Sequence, residues 1–304
     1  LIYKRFDYAQ REKESPMQNV QIAPTSRTVR SLKRLRRYPA TLFGFTVVGL
    51  FLLMAIFGPL VAPYKFSDQE LTNKLKPASA EHWFGTDQFG RDIYSRILTG
   101  SRDVFTIAGS GTLLAVFLGL TLGLLSGYFG GMMDEALMRL MDVLLSIPPL
   151  LLAMIILGTV GPSRLNIVIV VGFLYIPMVA RVVRSVVLDI KTREFVEAAK
   201  MRGESNFYIL FREILPNVLP PLAVEASMRF SYSIFLVASL GFLGLGIQPP
   251  SPDWGMMVSE GRTWFNLAPW VLLYPAGTIA LLVVGVAFMS DGLRRMLLPG
   301  GVTS

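Results

Sequence analysis

Residues 104–133 (VFTIAGSGTLLAVFLGLTLGLLSGYFGGMM) contain no Asp, Glu, Lys or Arg. A helix needs about 20 apolar residues to cross a hydrocarbon core of about 30 Å, so this stretch is long enough to span a bilayer. Further apolar segments lie at 40–62, 143–163, 165–187, 218–247 and 269–290. They are continuously apolar rather than alternating, which selects helices over the strands of a membrane barrel. The expected fold is an all-α polytopic bundle of six transmembrane helices. The third is expected to start near Asp134, with Arg139 and Asp142 in its first turns, and the fourth to carry Arg181 and Arg184 in its last turns. Only 16% of the residues are charged, against about a quarter in an average soluble domain.

Net charge is +8, from 29 Lys+Arg and 21 Asp+Glu. In a membrane protein such an excess belongs to basic cytoplasmic loops, so nucleic acid is not expected as a partner. With the N-terminus inside, twenty of the Lys and Arg fall on the cytoplasmic side, eight fall opposite, and Arg229 lies within a span. Both termini are therefore expected in the cytoplasm. No apolar run precedes residue 40, so the first span reads as a signal anchor and not as a cleavable signal peptide. Residues 1–25 are polar and aperiodic and are expected to be disordered. The chain has no Cys and a single histidine, His82. Disulfides, thiolate metal sites and multi-histidine metal sites are thereby excluded.

The segment EFVEAAKMRGESNFYILFREILPN (194–217) is too charged to span a membrane, yet apolar residues recur at helical spacing on both sides of Gly203. Phe195, Ala198, Ala199 and Met201 or Arg202 share one face of a short helix, which Gly203 ends by turning with positive φ. Ser205 caps a second helix carrying Phe207, Leu210, Phe211 and Ile214, and Pro216 stops it. Small residues beside a glycine give a low-relief surface suited to a protein partner; an amphipathic connector on the membrane surface fits the periodicity equally well.

"EAAKMRG" followed by "ILPN" resembles the EAA loop of ABC importer permease subunits, with Glu197, Ala198, Ala199, Gly203, Leu215 and Pro216 at the matching positions. "FGTDQFGRDIYSRILTGSR" (84–102), "ARVVR" (180–184) and "LGFLGLGIQPPSPDWG" (240–255) are similar to stretches of the dipeptide/oligopeptide/nickel branch and occur in the same order. The resemblance covers roughly residues 40–299. It implies a type I ABC importer-like fold with a cytoplasmic coupling-helix hairpin and the solute classes of that branch (peptides, nickel complexes, glycosides). The organisation is then a basic tail at 1–39, a first helix and extracytoplasmic loop at 40–103, a permease core at 104–299 with the EAA loop at 189–217, and a short tail at 300–304. It further implies a second homologous permease subunit, one or two cytoplasmic ATP-binding subunits, an extracytoplasmic solute-binding protein, and a bacterial or archaeal plasma membrane. No Gly-Lys pair, and so no phosphate loop, occurs in the chain. No cofactor is expected in this chain; ATP and Mg would be held by the partner subunits, and the chain itself would not be an enzyme.

Other features carry narrower expectations. Gly119, Gly123 and Gly127 line one helix face and permit close packing, either on a partner subunit or within the chain. Pro148-Pro149 and Pro177 are expected to kink their helices. Met132, Met133, Met138 and Met141 read as lipid-facing or filler residues. Asp87–Arg91 and Asp92–Arg96 have i, i+4 spacing and suggest a self-neutralised helix outside the membrane. With Trp254, the residues Asp87, Arg91 and Asp92 are the candidates for contact with a binding protein. Glu225 and Arg229, again i, i+4, share a stripe with Tyr232 and Ser239, and are assigned to the pathway or the subunit interface. The fifth helix is taken to begin near Pro221. An ion-coupled secondary transporter or a channel is the alternative reading, although repeat symmetry and buried carboxylates in broken helices are not evident.

Overall fold

A computed structural model describes residues 39–298, so the basic tail with its expected disorder, and the last six residues, lie outside the described region. The described chain forms α1 (Pro39–Val61), α2 (Ile93–Phe129), α3 (Gly131–Leu145), α4 (Pro149–Val160), α5 (Arg164–Ile190), α6 (Glu194–Met201), α7 (Asn206–Phe242), α8 (Trp254–Thr263) and α9 (Trp270–Leu297). A 3-10 turn, Leu71–Asn73, lies between α1 and α2, and the single β-bridge among the described residues joins Thr86 to Asp92.

Five of these helices are long and apolar enough to cross a membrane. The sixth expected span is broken: α3 and α4 meet at 84°. The cause is local. A residue preceding proline is pushed out of the helical region, and Pro148, which precedes Pro149, adopts φ −53°, ψ 130°. Pro149 then opens α4 as its first residue, where the missing N–H costs nothing. The 12 residues of α4 reach only about 18 Å, so the continuous third helix expected from Asp134 does not form.

α2 and α5 run side by side, and glycines set their distance. A Cβ at Gly119 would sit 2.6 Å from the Val179 side chain, at Gly123 2.6 Å from the Ala180 carbonyl, and at Gly127 2.8 Å from Val187. The stripe is therefore filled by this chain's own α5 and is not free for a partner subunit. Gly123→Val is expected to destabilise the bundle by about 1–3 kcal/mol through overpacking against backbone. Gly49→Ala, where nothing lies within 4 Å, should be neutral. Thermal unfolding of the two variants in detergent checks the difference.

The buried apolar residues form two separate cores. One joins Val47, Ile93, Ile107, Val171, Ile234, Trp254 and Leu282 of α1, α2, α5, α7, α8 and α9. The other gathers Leu124, Val183, Val187, Ile190, Val196, Ala199, Ile209, Ile214, Val218 and Leu222. The second core lies where α2 and α5 end and α7 begins, and it includes the hairpin.

Candidate functional site: a hairpin welded to the bundle

The hairpin begins with α6, whose Val196 and Ala199 are fully buried while Phe195, Glu197 and Met201 are exposed. Gly203 follows with φ 78°, in open space, and its N–H donates to the Lys200 carbonyl at 2.9 Å. Ser205 then accepts from the Tyr208 N–H at 3.2 Å and caps the second helix. Both local expectations hold.

The ending does not. Pro216 fails to stop the second helix, which continues as α7 through Pro216, Pro220 and Pro221 to Phe242. Residues Ile209–Ile214 widen into a π-turn, and the Leu215 N–H reaches back to the Leu210 carbonyl. Changing the hydrogen-bond register just before Pro216 accommodates a residue with no N–H to give. Beyond it, burial of Val218, Leu222 and Val224 favours continuation over a coil with unsatisfied backbone groups. The π-turn also splits the apolar stripe. Leu210 and Ile214 point into the second core, whereas Phe207 and Phe211 are 71% and 48% exposed, their ring centroids 4.4 Å apart. Glu197, Ala198 and Gly203 thus sit on an accessible surface next to two outward phenylalanines, while Ala199 anchors that surface from beneath. Leu215 is half-buried and Pro216 exposed.

Electrostatic ties hold the adjoining helix ends. Arg184 of α5 grips Asp134 of α3 with both forks, Nε to Oδ1 at 2.5 Å and Nη2 to Oδ2 at 2.6 Å. Ser126 donates to the same carboxylate, Arg181 pairs with Asp142, and Lys191 donates to the Gly127 carbonyl at 2.8 Å. α3 is therefore strapped to α2 and α5. These pairings are absent from the sequence reading, although charges at the ends of apolar segments require partners.

Deeper in the bundle, Glu225 Oε1 lies 2.8 Å from Arg229 Nε as the spacing suggests. The guanidinium also donates to Met178 Sδ and lies 4.8 Å from the Tyr232 ring and 5.8 Å from the Tyr175 ring. Tyr175 and Met178 come from α5, more than 50 residues away. Ser239 does not join this cluster. It turns its hydroxyl to the Phe235 carbonyl and lines an apolar cleft of about 600 Å³ with Phe242, Ile279 and Val283. The premise that the helix starts at Pro221 also falls, since α7 begins fifteen residues earlier.

At the opposite end of the bundle, the Asp87–Arg91 half of the expected helix is replaced by a tight loop, and α2 starts only after Asp92. Gly85 and Gly90 both take φ 74°, and a Cβ at Gly90 would fall 1.9 Å from the Glu70 carbonyl oxygen. Asp87 accepts from the Phe89 and Arg91 N–H groups, from Arg91 Nε at 2.6 Å and from Arg96 Nη1 at 2.5 Å. Arg96 thus pairs with Asp87 and not with Asp92. Glu260 of α8 completes the cluster, 3.0 Å from Arg91 Nη2. Asp92 instead caps α2 through the Ser95 N–H and bonds His82 Nδ1 at 2.9 Å. Asp87, Arg91, Asp92 and Trp254 are all at least 95% buried, so they brace the platform from inside and present no side-chain surface to a binding protein. Trp254 donates its indole N–H to the Ile97 carbonyl at 3.2 Å.

Asp253, beside it, accounts for two of the four glycines of the 240–255 stretch. Its carboxyl caps α8 and lies where a Cβ on Gly241 or Gly246 would stand, 2.1 and 3.0 Å away. Burial pushes this carboxyl up to about 6, against backbone N–H donors that stabilise its charge.

Residues 119–300 match the family described as binding-protein-dependent transport system inner membrane component, and residues 26–78 match the N-terminal transmembrane domain of oligopeptide transport permease C. A dipeptide transport system permease protein of Alkalihalophilus pseudofirmus is 40% identical over 288 residues, covering 95% of each chain. A probable D,D-dipeptide transport system permease protein of Escherichia coli is 40% identical, with 87% of this chain and 89% of that one covered. An oligopeptide transport system permease protein of Bacillus subtilis is 35% identical over 88% of both.

Proposed function

The chain belongs to the binding-protein-dependent transport inner membrane component family, and from that premise we propose how this permease subunit of an ABC importer is driven. It is an integral inner-membrane protein. The solute is a peptide or a closely related small molecule, a reading supported by the names of its relatives. The chain forms half of the pathway with a second homologous permease. Cytoplasmic ATP-binding subunits hold ATP and Mg, and an extracytoplasmic protein delivers the solute. Both termini lie in the cytoplasm, as the distribution of Lys and Arg supports.

One observation carries the coupling mechanism: the buried face of the hairpin and the inner ends of α2, α5 and α7 share a single apolar core. The ATPase docks on Glu197, Ala198, Gly203, Phe207 and Phe211. Its closure displaces α6, and close packing through Val196, Ala199, Ile209 and Ile214 passes the displacement to α5 and α7 without slack. Those helices carry Tyr175 and Met178 around Glu225, Arg229 and Tyr232, the residues assigned to the pathway or the subunit interface. The task is a two-state change biased by differential contacts of the ATPase in its open and closed forms.

The purified chain alone, in vesicles, is expected to hydrolyse no ATP and to pass no peptide; adding both ATPase subunits, the second permease and the binding protein should restore both. Peptide flux through the isolated chain would replace this reading with that of a channel or carrier.

A further inference from the structure

A polar cleft of about 800 Å³ opens at the end of the bundle opposite the hairpin and takes no part in the coupling mechanism. Pro59 in the last turn of α1, one face of α2 between Thr99 and Ser110, Arg164 and Leu165 in the first turn of α5, and Ser251 and Pro252 line it. Two membrane-crossing helices stop here, α1 at Val61 and α5 at Arg164, so the cleft lies at the level of the bilayer interface. α2 is consistent with this level. Its 37 residues extend about 55 Å, well beyond a core of about 30 Å, and Arg102 lies in its third turn.

The lining divides into a cationic mouth and an apolar wall. Arg164 Nη2 reaches Asp103 Oδ2 at 3.0 Å, and the same oxygen accepts from Ser251 Oγ at 2.6 Å. Asp103 is thereby engaged, and among the described residues no carboxylate pairs with Arg102, which is exposed beside it. Two guanidiniums face one carboxylate, so the cleft keeps a net positive charge. Thr106 and Ser110 add hydroxyls, while Leu165 and Val168 form the wall. The cleft continues onto bare apolar surface: Leu165 is 67% exposed, and Leu60, next to Pro59, is 80% exposed.

We propose that this cleft binds an anionic phospholipid, its phosphodiester held by Arg102 and Arg164 and an acyl chain laid against Leu165, Val168 and the α1–α5 flank. Planar guanidiniums suit phosphate oxygens, and an arginine at the membrane interface without a protein partner finds its anion in the headgroup layer. A peptide carboxylate would meet the same arginines. The lipid is favoured because the cleft opens onto the apolar flank of α1 and α5, away from the Arg229–Tyr232 cluster of α7.

The test is native mass spectrometry of the assembled complex after exchange into phosphatidylglycerol or phosphatidylcholine. The wild type should retain phosphatidylglycerol in preference to phosphatidylcholine. Arg102→Ala, which breaks no ion pair among the described residues, should lower that retention about tenfold, the loss expected for one charge-assisted contact. Arg102→Lys should restore part of it, and Arg164→Ala should weaken it again. Equal retention by wild type and both alanine variants overturns the proposal. So does displacement of the lipid by a transported dipeptide, which would make the cleft a solute subsite, or by inorganic phosphate alone at millimolar concentration, which would remove any role for the apolar wall. Transport measured in parallel tells failure of this site from failure of the importer reading, because the lipid readout does not depend on which solute is carried.

Discussion

Asp87→Ala is expected to leave little folded protein in the membrane. The carboxylate is 1% exposed and neutralises Arg91 and Arg96, themselves 4% and 2% exposed. Removing it strands two buried cations with only Glu260 between them. Breaking a buried ion pair by deleting one partner costs about 3–5 kcal/mol, a large part of the stability of most domains. Asp87→Asn should lose less, because the amide oxygen still accepts from the backbone N–H groups of Phe89 and Arg91 that close the loop. Accumulation of inserted protein, protease resistance of residues 62–92 and thermal unfolding in detergent measure the loss. Asp68→Ala, at an exposed position, is the control. If Asp87→Ala protein folds normally and loses only its response to a binding protein, the buried cluster has been given the wrong task.

That cluster shows where the sequence is legible and where it stops. Asp87–Arg91 could be read from spacing. The choice of Asp87 over Asp92 by Arg96 could not, because two left-handed glycines fold the segment into a loop that i, i+4 arithmetic does not describe. Glu260 lies about 170 residues from its partners, and no local pattern points to it. The spans were legible because the requirement for apolar length is local and strong. The broken third span was half legible: Pro148-Pro149 marked the place, but only a bend was expected. The hairpin shows the same division. Gly203 and Ser205 act within one turn, and their roles followed from residue type. Helix continuation through Pro216, Pro220 and Pro221 depends on burial against α5, which spacing within the segment does not report.

Gly203→Pro and Glu197→Lys are expected to abolish solute-stimulated ATP hydrolysis and uptake while the protein remains inserted. The two act differently. Proline fixes φ near −65°, whereas Gly203 stands at 78° and donates its N–H to Lys200, so the turn between α6 and α7 cannot form. Gly203→Ala keeps the N–H and adds only the cost of a left-handed non-glycine residue, about 1–2 kcal/mol, and should retain part of the activity. Nothing lies within 4 Å of the site, so no clash confuses the comparison. Glu197 is exposed, and among the described residues no ion pair or side-chain hydrogen bond holds it. Reversing its charge therefore leaves the folded permease intact and alters only what docks on it. The checking measurement is co-purification of the ATPase subunits alongside solute-stimulated ATPase activity in nanodiscs. Loss of both in Glu197→Lys, with the unfolding temperature unchanged, places the defect at the docking surface. A Glu197→Lys complex that keeps its ATPases and its solute-stimulated turnover would move the docking surface off α6, leaving the Phe207–Phe211 pair as the contact to test.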